Sequence, residues 1–209
     1  MTTKEKIVDT ALQLFNKQGM DPVTTRHIAK EINISHGNLC YHYPRKEDII
    51  TQLYHNLVEE LDKEIASLQK GEPGLEMFLL AIEATFRIQY RYKFILQDMV
   101  GIMRRIDPIH QHFKALYQRR KGQFQMIVQY LTSQGIIQDE VVKGQYENFI
   151  AQFYIIGDFW VSEAEILFEG TEEEKLQYYT HIAFSLIIPY FTQKGLEAYQ
   201  KLLSTSEKD

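Results

Sequence analysis

The sequence predicts an all-α protein with a small N-terminal helical domain, residues 1–46, and a larger C-terminal helical body, residues 47–209. Apolar residues recur at helical spacing along almost the whole chain, and no stretch alternates apolar and polar residues as a half-buried strand does. Glycine, proline and capping residues separate the helical stretches. No run of roughly eighteen apolar residues occurs, so we expect no membrane-spanning helix and no membrane partner.

The first two predicted helices lie at the N-terminus. Residues 4–18 carry apolar side chains at helical spacing, and Gly19 follows where a left-handed residue commonly ends a helix. Thr24 is a suitable cap for a short second helix that ends near Asn33, a residue that accepts left-handed geometry. These features predict two helices joined by a short turn.

A third helix follows closely and completes a helix-turn-helix. Ser35 is its predicted cap, and the helix cannot run far beyond His42, because Pro44 lacks the amide hydrogen that a continuing helix needs. Two short helices joined by a tight turn, with a preceding helix to complete the core, form about the smallest unit of this kind.

The orientation of the third helix follows from Leu39, which is its core anchor. With about 100° per residue, the opposite side carries small, polar and aromatic residues, namely His36, Gly37, Cys40 and Tyr41, with Asn38 and His42 nearer its edges. Such a face suits DNA, because glycine lets the backbone approach a phosphate and the polar side chains reach phosphates or base edges. A surface helix with incidental aromatic residues is the alternative for this stretch taken alone.

The rest of the chain predicts longer helices. The first of them starts at Lys46 and reaches about Gln69, where the sequence KGEPG ends it. Further helices are predicted at residues 75–90, 93–105, 109–133, 143–168, 172–192 and 196–203. Interruptions are predicted at Asp107–Pro108, Gly135, residues 169–170 and Gly195, and a capping box is predicted at Thr171 and Glu174.

Charge is unevenly distributed along the chain. Residues 1–46 contain seven Lys or Arg against four Asp or Glu, whereas the remainder contains sixteen against twenty-four. A basic segment with three histidines on an acidic body suggests that the N-terminal end meets a polyanion. Solvated surface charge alone could produce the same division, so charge leaves both interpretations open.

The segment TTRHIAKEINISHGNLCYHYPRKEDII resembles the signature of the TetR family of bacterial repressors. The shared features are a Thr-rich cap, an Ile-Ala pair, a turn, an aromatic cluster after a glycine, and a Lys-Glu pair. The resemblance covers about a quarter of the chain. It implies a helix-turn-helix DNA-binding domain at residues 1–46 and a helical ligand-binding and dimerisation domain at residues 47–209.

The resemblance also implies roles for individual residues. Thr25 would touch phosphate, and Arg26 would reach a base or the backbone. The other DNA contacts would come from the third helix and the start of the fourth, at Ser35, His36, Gly37, Asn38, Tyr41, His42 and Lys46. Core positions rather than contacts are implied for Ile28, Ala29 and Leu39.

Two residues depart from the family pattern. Asn33 replaces the commoner glycine of the turn, and asparagine accommodates that backbone. Cys40 stands where the family usually has tyrosine, which removes a phosphate-binding hydroxyl at a loss of about 1 kcal/mol if nothing replaces it. The thiol could be a tolerated loss, or it could make DNA binding sensitive to oxidation.

The resemblance further implies a homodimer on an inverted-repeat, double-stranded DNA operator. A small apolar or aromatic effector in the body would move the fourth helix, change the spacing of the recognition helices and favour the DNA-free state. The stretches 143–168 and 172–192 are apolar enough to form the dimer interface, although the same faces could be buried inside one subunit.

Aromatic residues and methionines of the body are the candidate effector contacts. The predicted set is Phe86, Tyr90, Met103, Phe113, Tyr117 and Phe153. A helical core needs many such side chains in any case, so each of them could equally serve packing.

No motif predicts catalysis, a cofactor or a metal site. The chain lacks a phosphate-binding loop, a nucleophile elbow and a zinc-binding HExxH sequence. His110 and His112 would point about 200° apart on a helix, so they cannot chelate one metal from a single face. The chain start is unlike a secretory signal and the single cysteine fits a reducing compartment, so we expect a cytoplasmic protein.

The sequence therefore leads to a ligand-responsive DNA-binding regulator that is not an enzyme and acts as a repressor. The alternative is a helical ligand-binding or scaffold protein that keeps the helix-turn-helix without using it on DNA.

Overall fold

A computed structural model describes residues 1–68 and 74–206 of the chain. The described residues form, in order, α1 (Thr3–Gln18), α2 (Thr25–Glu31), α3 (His36–His42), α4 (Lys46–Leu68), α5 (Leu75–Arg91), α6 (Lys93–Gln97), α7 (Met99–Arg105), α8 (Asp107–Ser133), α9 (Gln145–Leu167), α10 (Glu172–Ser185), a 3-10 turn (Ile188–Tyr190) and α11 (Gln193–Ser206). Apart from one antiparallel bridge between Ile137 and Phe191, these residues contain no β-structure. The predicted all-α fold is confirmed.

Backbone contacts divide the chain into two compact units. The first unit comprises Met1–Asp62 and Ile88–Phe113, and the second comprises Lys63–Arg87 and Lys114–Asp209. The divisions fall within α4, α5 and α8. A functional boundary between residues 46 and 47 stays a prediction. The predicted end of the fourth helix at Gln69 and most of the KGEPG break lie outside the described residues.

The predicted caps of the short N-terminal helices are present. The Thr24 hydroxyl accepts from the amide of His27, and the Ser35 hydroxyl accepts from the amide of Asn38. Between these two helices Asn33 has a φ of 55°, the left-handed geometry expected of it. Each cap satisfies an amide that has no partner inside its own helix, so the two helices start at defined residues.

The core of the first unit is built on α1. Ile7, Ala11 and Phe15 of this helix are fully buried, and the rings of Phe15 and Phe94 lie 5.1 Å apart. The Asn16 side chain donates to the Arg91 carbonyl at 2.8 Å and accepts from the Phe94 amide at 3.2 Å. These contacts fix the junction of α5 and α6 against α1.

Several predicted helix boundaries are wrong in the body. The stretch 93–105 forms two helices, because the backbone at Asp98 departs from helical geometry with a φ of −117° and a ψ of 31°. The interruption predicted at Asp107–Pro108 is present one residue earlier, at Ile106, and Asp107 and Pro108 themselves begin α8, since proline is tolerated in the first turn. The stretch 172–192 is not one helix either, because α10 ends at Ser185 and Pro189 lies in the 3-10 turn.

Gly195 was a predicted break, and this prediction is also wrong. It lies inside α11, where an added Cβ would stand 2.1 Å from the carbonyl oxygen of Ile136. The residue is glycine because two backbone segments approach closely there.

Aromatic rings fill the core of the second unit. The Phe86 ring stacks on Trp160 with a centroid distance of 4.8 Å and an interplanar angle of 7°. Phe124 contacts Phe78 at 5.4 Å and Phe153 at 4.8 Å. Such rings supply most of the apolar area that holds α5, α8 and α9 together.

A charged pair and a cap define the α9–α10 corner. The Lys175 ammonium, which is nearly buried, donates to the Glu165 carboxylate at 2.7 Å. Thr171 and Glu174 form the predicted capping box at the start of α10. Within the described ranges, no helix combines the length and the apolar character needed to cross a bilayer.

We expect Gly195→Ala to lower the free energy of unfolding by about 2 kcal/mol, because the new methyl group must displace the Ile136 backbone. The matched control is Gly122→Ala in α8, where nothing lies within 4 Å of the added methyl group. That control should raise the free energy of unfolding by about 0.5–1 kcal/mol. Urea denaturation at a fixed protein concentration measures both, and an unchanged Gly195→Ala midpoint would contradict the close approach.

Candidate nucleic-acid interface

The third helix presents two different faces. Leu39 is fully buried, as its role of anchor predicts, whereas the Tyr41 side chain is 85% exposed. An added Cβ at Gly37 would meet only the Ser35 hydroxyl, at 3.9 Å. Packing inside the chain therefore does not require a glycine at position 37, and the helix backbone is open to approach from outside.

A polar network joins the start of α2 to α3. The Thr25 hydroxyl lies 3.0 Å from Nε2 of His36, and the Cys40 sulfur lies 3.3 Å from the same nitrogen. His36 thus holds the first turn of α3 against the first residue of α2. The sequence spacing of four residues between His36 and Cys40 could have indicated their contact, but the contact with Thr25 depends on how the two helices pack.

Cys40 is partly buried rather than fully exposed. Its sulfur faces the His36 imidazole, with which it is in hydrogen-bond contact. Sensitivity of this residue to oxidation stays a prediction.

Lys46 has a structural contact that the sequence did not indicate. Its ammonium donates to the Met20 carbonyl at 2.9 Å and lies 3.4 Å from the Asp21 carbonyl. The first turn of α4 is therefore tied to the α1–α2 connection. Since an ammonium carries three donors, this contact leaves capacity for a phosphate.

The same connection carries an ion pair. Arg105 donates to the Asp21 carboxylate at 2.7 Å, and this hydrogen bond lowers the pKa of Asp21. Both side chains are largely exposed, so the pair contributes little to stability.

The remaining predicted DNA contacts lie on the surface of α2 and α3. Arg26 and Asn38 are exposed, and the partly exposed His42 ring lies edge-on to Tyr41 at 5.3 Å. The Ser35 hydroxyl is engaged as the cap of α3. The structure thus brings Thr25, His36 and Cys40 into contact, and it leaves the roles of all the predicted residues toward DNA as predictions.

The six candidate effector contacts do not form one group. Phe86, Tyr117 and Phe153 belong to the second unit, and Tyr90, Met103 and Phe113 belong to the first. Phe86 is buried against Trp160, and the Tyr90 ring lies 5.1 Å from the Lys93 ammonium. Their role in ligand binding stays a prediction.

The second unit also contains a groove of about 270 Å³. Its walls come from α5, α10 and α11 and include Leu79, Leu176, Thr180, His181, Tyr199 and Leu203. None of the six candidate residues lines it. Thr180 is 7% exposed, and its hydroxyl has no hydrogen-bond partner among the described residues.

His110 and His112, the two histidines of the sequence HQH, lie in different environments. His112 binds the Tyr54 hydroxyl through Nδ1 at 2.9 Å, and its ring lies 5.4 Å from His55. His110 is partly buried. In residues 1–68 and 74–206, no group of three or more His, Cys, Asp or Glu side chains could hold a metal ion.

Comparison with protein families gives matches over most of the chain. Residues 7–53 match a model described as bacterial regulatory proteins of the tetR family, and residues 54–199 match one described as a bacterial transcriptional repressor.

Curated relatives match part of the chain. The chain is 33% identical over 91 residues to IcaR of Staphylococcus aureus strain Newman, a negative regulator of the biofilm operon icaADBC, covering 43% of this chain and 49% of the relative. IcaR of Staphylococcus epidermidis is 42% identical over 53 residues, covering 25% and 29%. The chain thus spans about half or less of the length of these relatives.

Solved structures match the whole fold. A TetR-family transcriptional regulator from Marinobacter aquaeolei superposes with a TM-score of 0.86 and 24% identity, covering 100% of this chain and 98% of the other. KstR2 of Mycobacterium tuberculosis superposes with a TM-score of 0.71 and 13% identity, covering 92% and 96%. At these identities the superpositions show the fold alone.

Tyr43, which follows α3, contains a buried group without a partner. The residue is 4% exposed, and its hydroxyl receives and donates no hydrogen bond within the described part of the chain. Burial raises the pKa of this phenol. An unsatisfied buried hydroxyl costs free energy in the folded state.

We therefore expect Tyr43→Phe to raise the free energy of unfolding by about 1 kcal/mol. The control is Tyr92→Phe, because the Tyr92 hydroxyl donates to the Glu60 carboxylate at 3.1 Å, and its removal should lower the free energy of unfolding by about 1 kcal/mol. Urea denaturation compares the two variants. A Tyr43→Phe protein less stable than wild type would show that the hydroxyl has a partner.

Proposed function

Because the chain belongs to the TetR family of bacterial regulators, we propose that it represses transcription by binding an inverted-repeat operator as a dimer and leaves the DNA when a small molecule binds. The observation that carries this proposal is α3, which buries Leu39 and presents an open glycine backbone and the exposed Tyr41 to the outside. The described parts of the chain offer no metal cluster that would favour an enzymatic role. Since the matching families consist of bacterial transcriptional regulators, we propose a non-catalytic regulator that works in the cytoplasm.

The proposed DNA contacts divide by type. His36, Gly37 and Asn38 enter the major groove at the start of α3, where direct readout of base edges takes place. Phosphate contacts position the protein, and we assign them to Thr25, Ser35 and Lys46. Arg26, Tyr41 and His42 are proposed to contact the backbone or bases. The contact of His36 with Thr25 and Cys40 supports this assignment, because it fixes the imidazole before DNA arrives.

The repressor assignment has support from the relatives. IcaR, to which this chain is 33% identical over 91 residues, is a negative regulator. Its operon and its signals belong to that protein, so only the direction of regulation is carried over in the proposal.

The proposed dimer interface lies on α9 and α10. Ile155, Phe159 and Ile166 are 62%, 47% and 79% exposed, and their spacing of four and seven residues places them on one side of α9. Tyr178 of α10 is half exposed as well. Apolar side chains that a single subunit leaves in water are typical of an obligate interface.

The predicted ranges 143–168 and 172–192 also contain side chains that do not belong to the proposed interface. Phe149 and Phe184 lie in these ranges, but each is 1% exposed and belongs to the core of its own subunit. In the proposed dimer, the α3 helices of the two subunits would read half-sites about one helical turn of DNA apart.

The effector is proposed to bind in the C-terminal body. Ligand binding there would act on DNA affinity through α4, whose first turn follows the recognition helix directly. Such coupling requires the ligand to bind the DNA-free conformation more tightly than the DNA-bound one.

A DNA-binding measurement distinguishes the proposed repressor from the alternative. The alternative is a helical ligand-binding or scaffold protein with an unused helix-turn-helix. We expect the purified protein to bind an inverted repeat upstream of its own gene at least about 100-fold more tightly than a random duplex at moderate salt. Tyr41→Ala should weaken operator binding by about tenfold while leaving the melting temperature unchanged. Fluorescence anisotropy with labelled duplexes measures both affinities.

The matched control for this experiment is Tyr130→Ala, which removes a partly exposed tyrosine from α8 of the second unit. It should leave operator affinity unchanged. Equal affinity of wild type for all duplexes, or equal loss in both variants, would favour the scaffold alternative.

We expect Phe159→Glu to weaken the dimer by at least about 100-fold, because a charged side chain would be buried in an apolar interface. Val141→Glu is the control, since Val141 is 75% exposed in the connection before α9. Sedimentation velocity over a concentration series gives both dissociation constants. A Phe159→Glu protein that dimerises like wild type would place the interface elsewhere.

A further inference from the structure

A carboxylate stands among aromatic residues in the second unit. Asp158 is partly buried and lies on α9 one turn after Tyr154. The Tyr154 ring contacts Tyr117 of α8 at 4.9 Å, and Phe124 and Phe153 lie 6.3 and 6.4 Å from it. The α8–α9 contact therefore combines one acid with electron-rich rings, a combination that core packing does not require.

The charge of Asp158 is poorly compensated in the free protein. Burial raises the pKa of Asp158 to about 6, and the nearby Arg120 guanidinium opposes this effect without cancelling it. The titratable and charged groups that act on this carboxylate and its neighbour are Arg120, Tyr117 and Tyr154, and burial also raises the pKa of the Tyr154 phenol. Holding a carboxylate there disfavours the folded state at neutral pH.

Glu165 is an example of an acidic residue in this unit whose charge is balanced by a partner in the same chain. Glu165 accepts a hydrogen bond from the Lys175 ammonium at 2.7 Å, so its charge is satisfied within the chain. For Asp158, the described residues contribute two effects: they bury the carboxylate, and the Arg120 guanidinium partly stabilises its charge. Partly buried ionisable groups that the fold leaves poorly compensated are candidates for ligand binding.

We propose that Asp158, together with the rings of Tyr117 and Tyr154, binds the cationic nitrogen of an organic amine or quaternary ammonium effector. This inference rests on the proposed function, since it names the chemical class of the effector. The effector would still be a small apolar or aromatic molecule, as expected above, but it would also carry a positive charge.

A cation fits the cluster better than an anion does. The faces of phenol and phenyl rings carry negative potential and attract ammonium groups within about 6 Å of their centroids. A bound cation would also add a positive charge to that of Arg120 beside Asp158 and reduce the cost of burying the carboxylate. An anionic effector would instead have to compete with Asp158 for Arg120 and would face the same ring surfaces.

The test uses the purified full-length protein and three probes of similar size, namely benzyltrimethylammonium, uncharged benzyl alcohol and anionic benzoate. By isothermal titration calorimetry at pH 7.5, we expect benzyltrimethylammonium to bind at least about tenfold more tightly than the other two. Asp158→Asn should reduce its affinity by at least about tenfold. Asp139→Asn, an exposed acid of the same unit, is the matched control and should leave the affinity unchanged.

Two further measurements show that the carboxylate itself is responsible. Affinity of the wild type should fall about tenfold between pH 7.5 and pH 5, because Asp158 takes up a proton as the pH falls through its pKa of about 6. In Asp158→Asn this dependence should be absent. The variant should also melt about 5 °C higher than wild type at pH 7.5, because it carries no buried charge. This difference should shrink as the pH falls below about 6, where Asp158 of the folded wild type takes up a proton.

Several results would overturn the inference. These are no binding of benzyltrimethylammonium by wild type, equal binding of benzyl alcohol, tighter binding of benzoate, or an Asp158→Asn protein that binds the cation normally. Operator binding is measured separately without any probe. Operator binding with no response to the cation defeats this inference alone, whereas loss of specific operator binding defeats the proposed function.

Discussion

Burial of Leu39 is the constraint on which the DNA-facing surface depends. α3 has seven residues, too few for an isolated helix to be stable in water, so its position comes from tertiary contacts. Leu39 supplies the apolar contact, the Ser35 cap fixes the start, and left-handed Asn33 turns the chain between α2 and α3. Because angular relations on a helix are fixed, placing Leu39 inside determines that Gly37 and Tyr41 lie outside.

The sequence was informative wherever local rules decide the structure. Helical spacing, the threonine and serine caps and the left-handed Asn33 all depend on a few neighbouring residues, and these were predicted correctly. Gly195 shows the opposite case, because its reason for being glycine is the Ile136 carbonyl, which lies 59 residues earlier in the chain. The break at Asp98 has no comparable signal in the sequence.

The candidate interface shows the same division. Which residues of α3 face outward follows from one helix and one anchor, so the sequence could indicate them. The contacts that preorganise them, His36 with Thr25 and Lys46 with Met20, join residues 11 and 26 positions apart and needed the packed structure. In the body, aromatic composition could not distinguish packing from recognition. Phe86 and Tyr117 are both aromatic, but Phe86 stacks on Trp160, whereas Tyr117 contacts Tyr154, on whose phenol the charge of Asp158 acts.

The two hydrogen bonds of the Asn16 side chain affect which substitutions the surface around them can accept. Both of its hydrogen bonds go to backbone atoms, the Arg91 carbonyl and the Phe94 amide, and a backbone atom is the same whatever side chain it carries. Substitutions on the α5–α6 corner therefore change the chemistry of that surface without detaching the corner from α1. Together with the buried contact of Phe15 and Phe94, Asn16 therefore keeps the register between α1 and this corner while the exposed residues around it change.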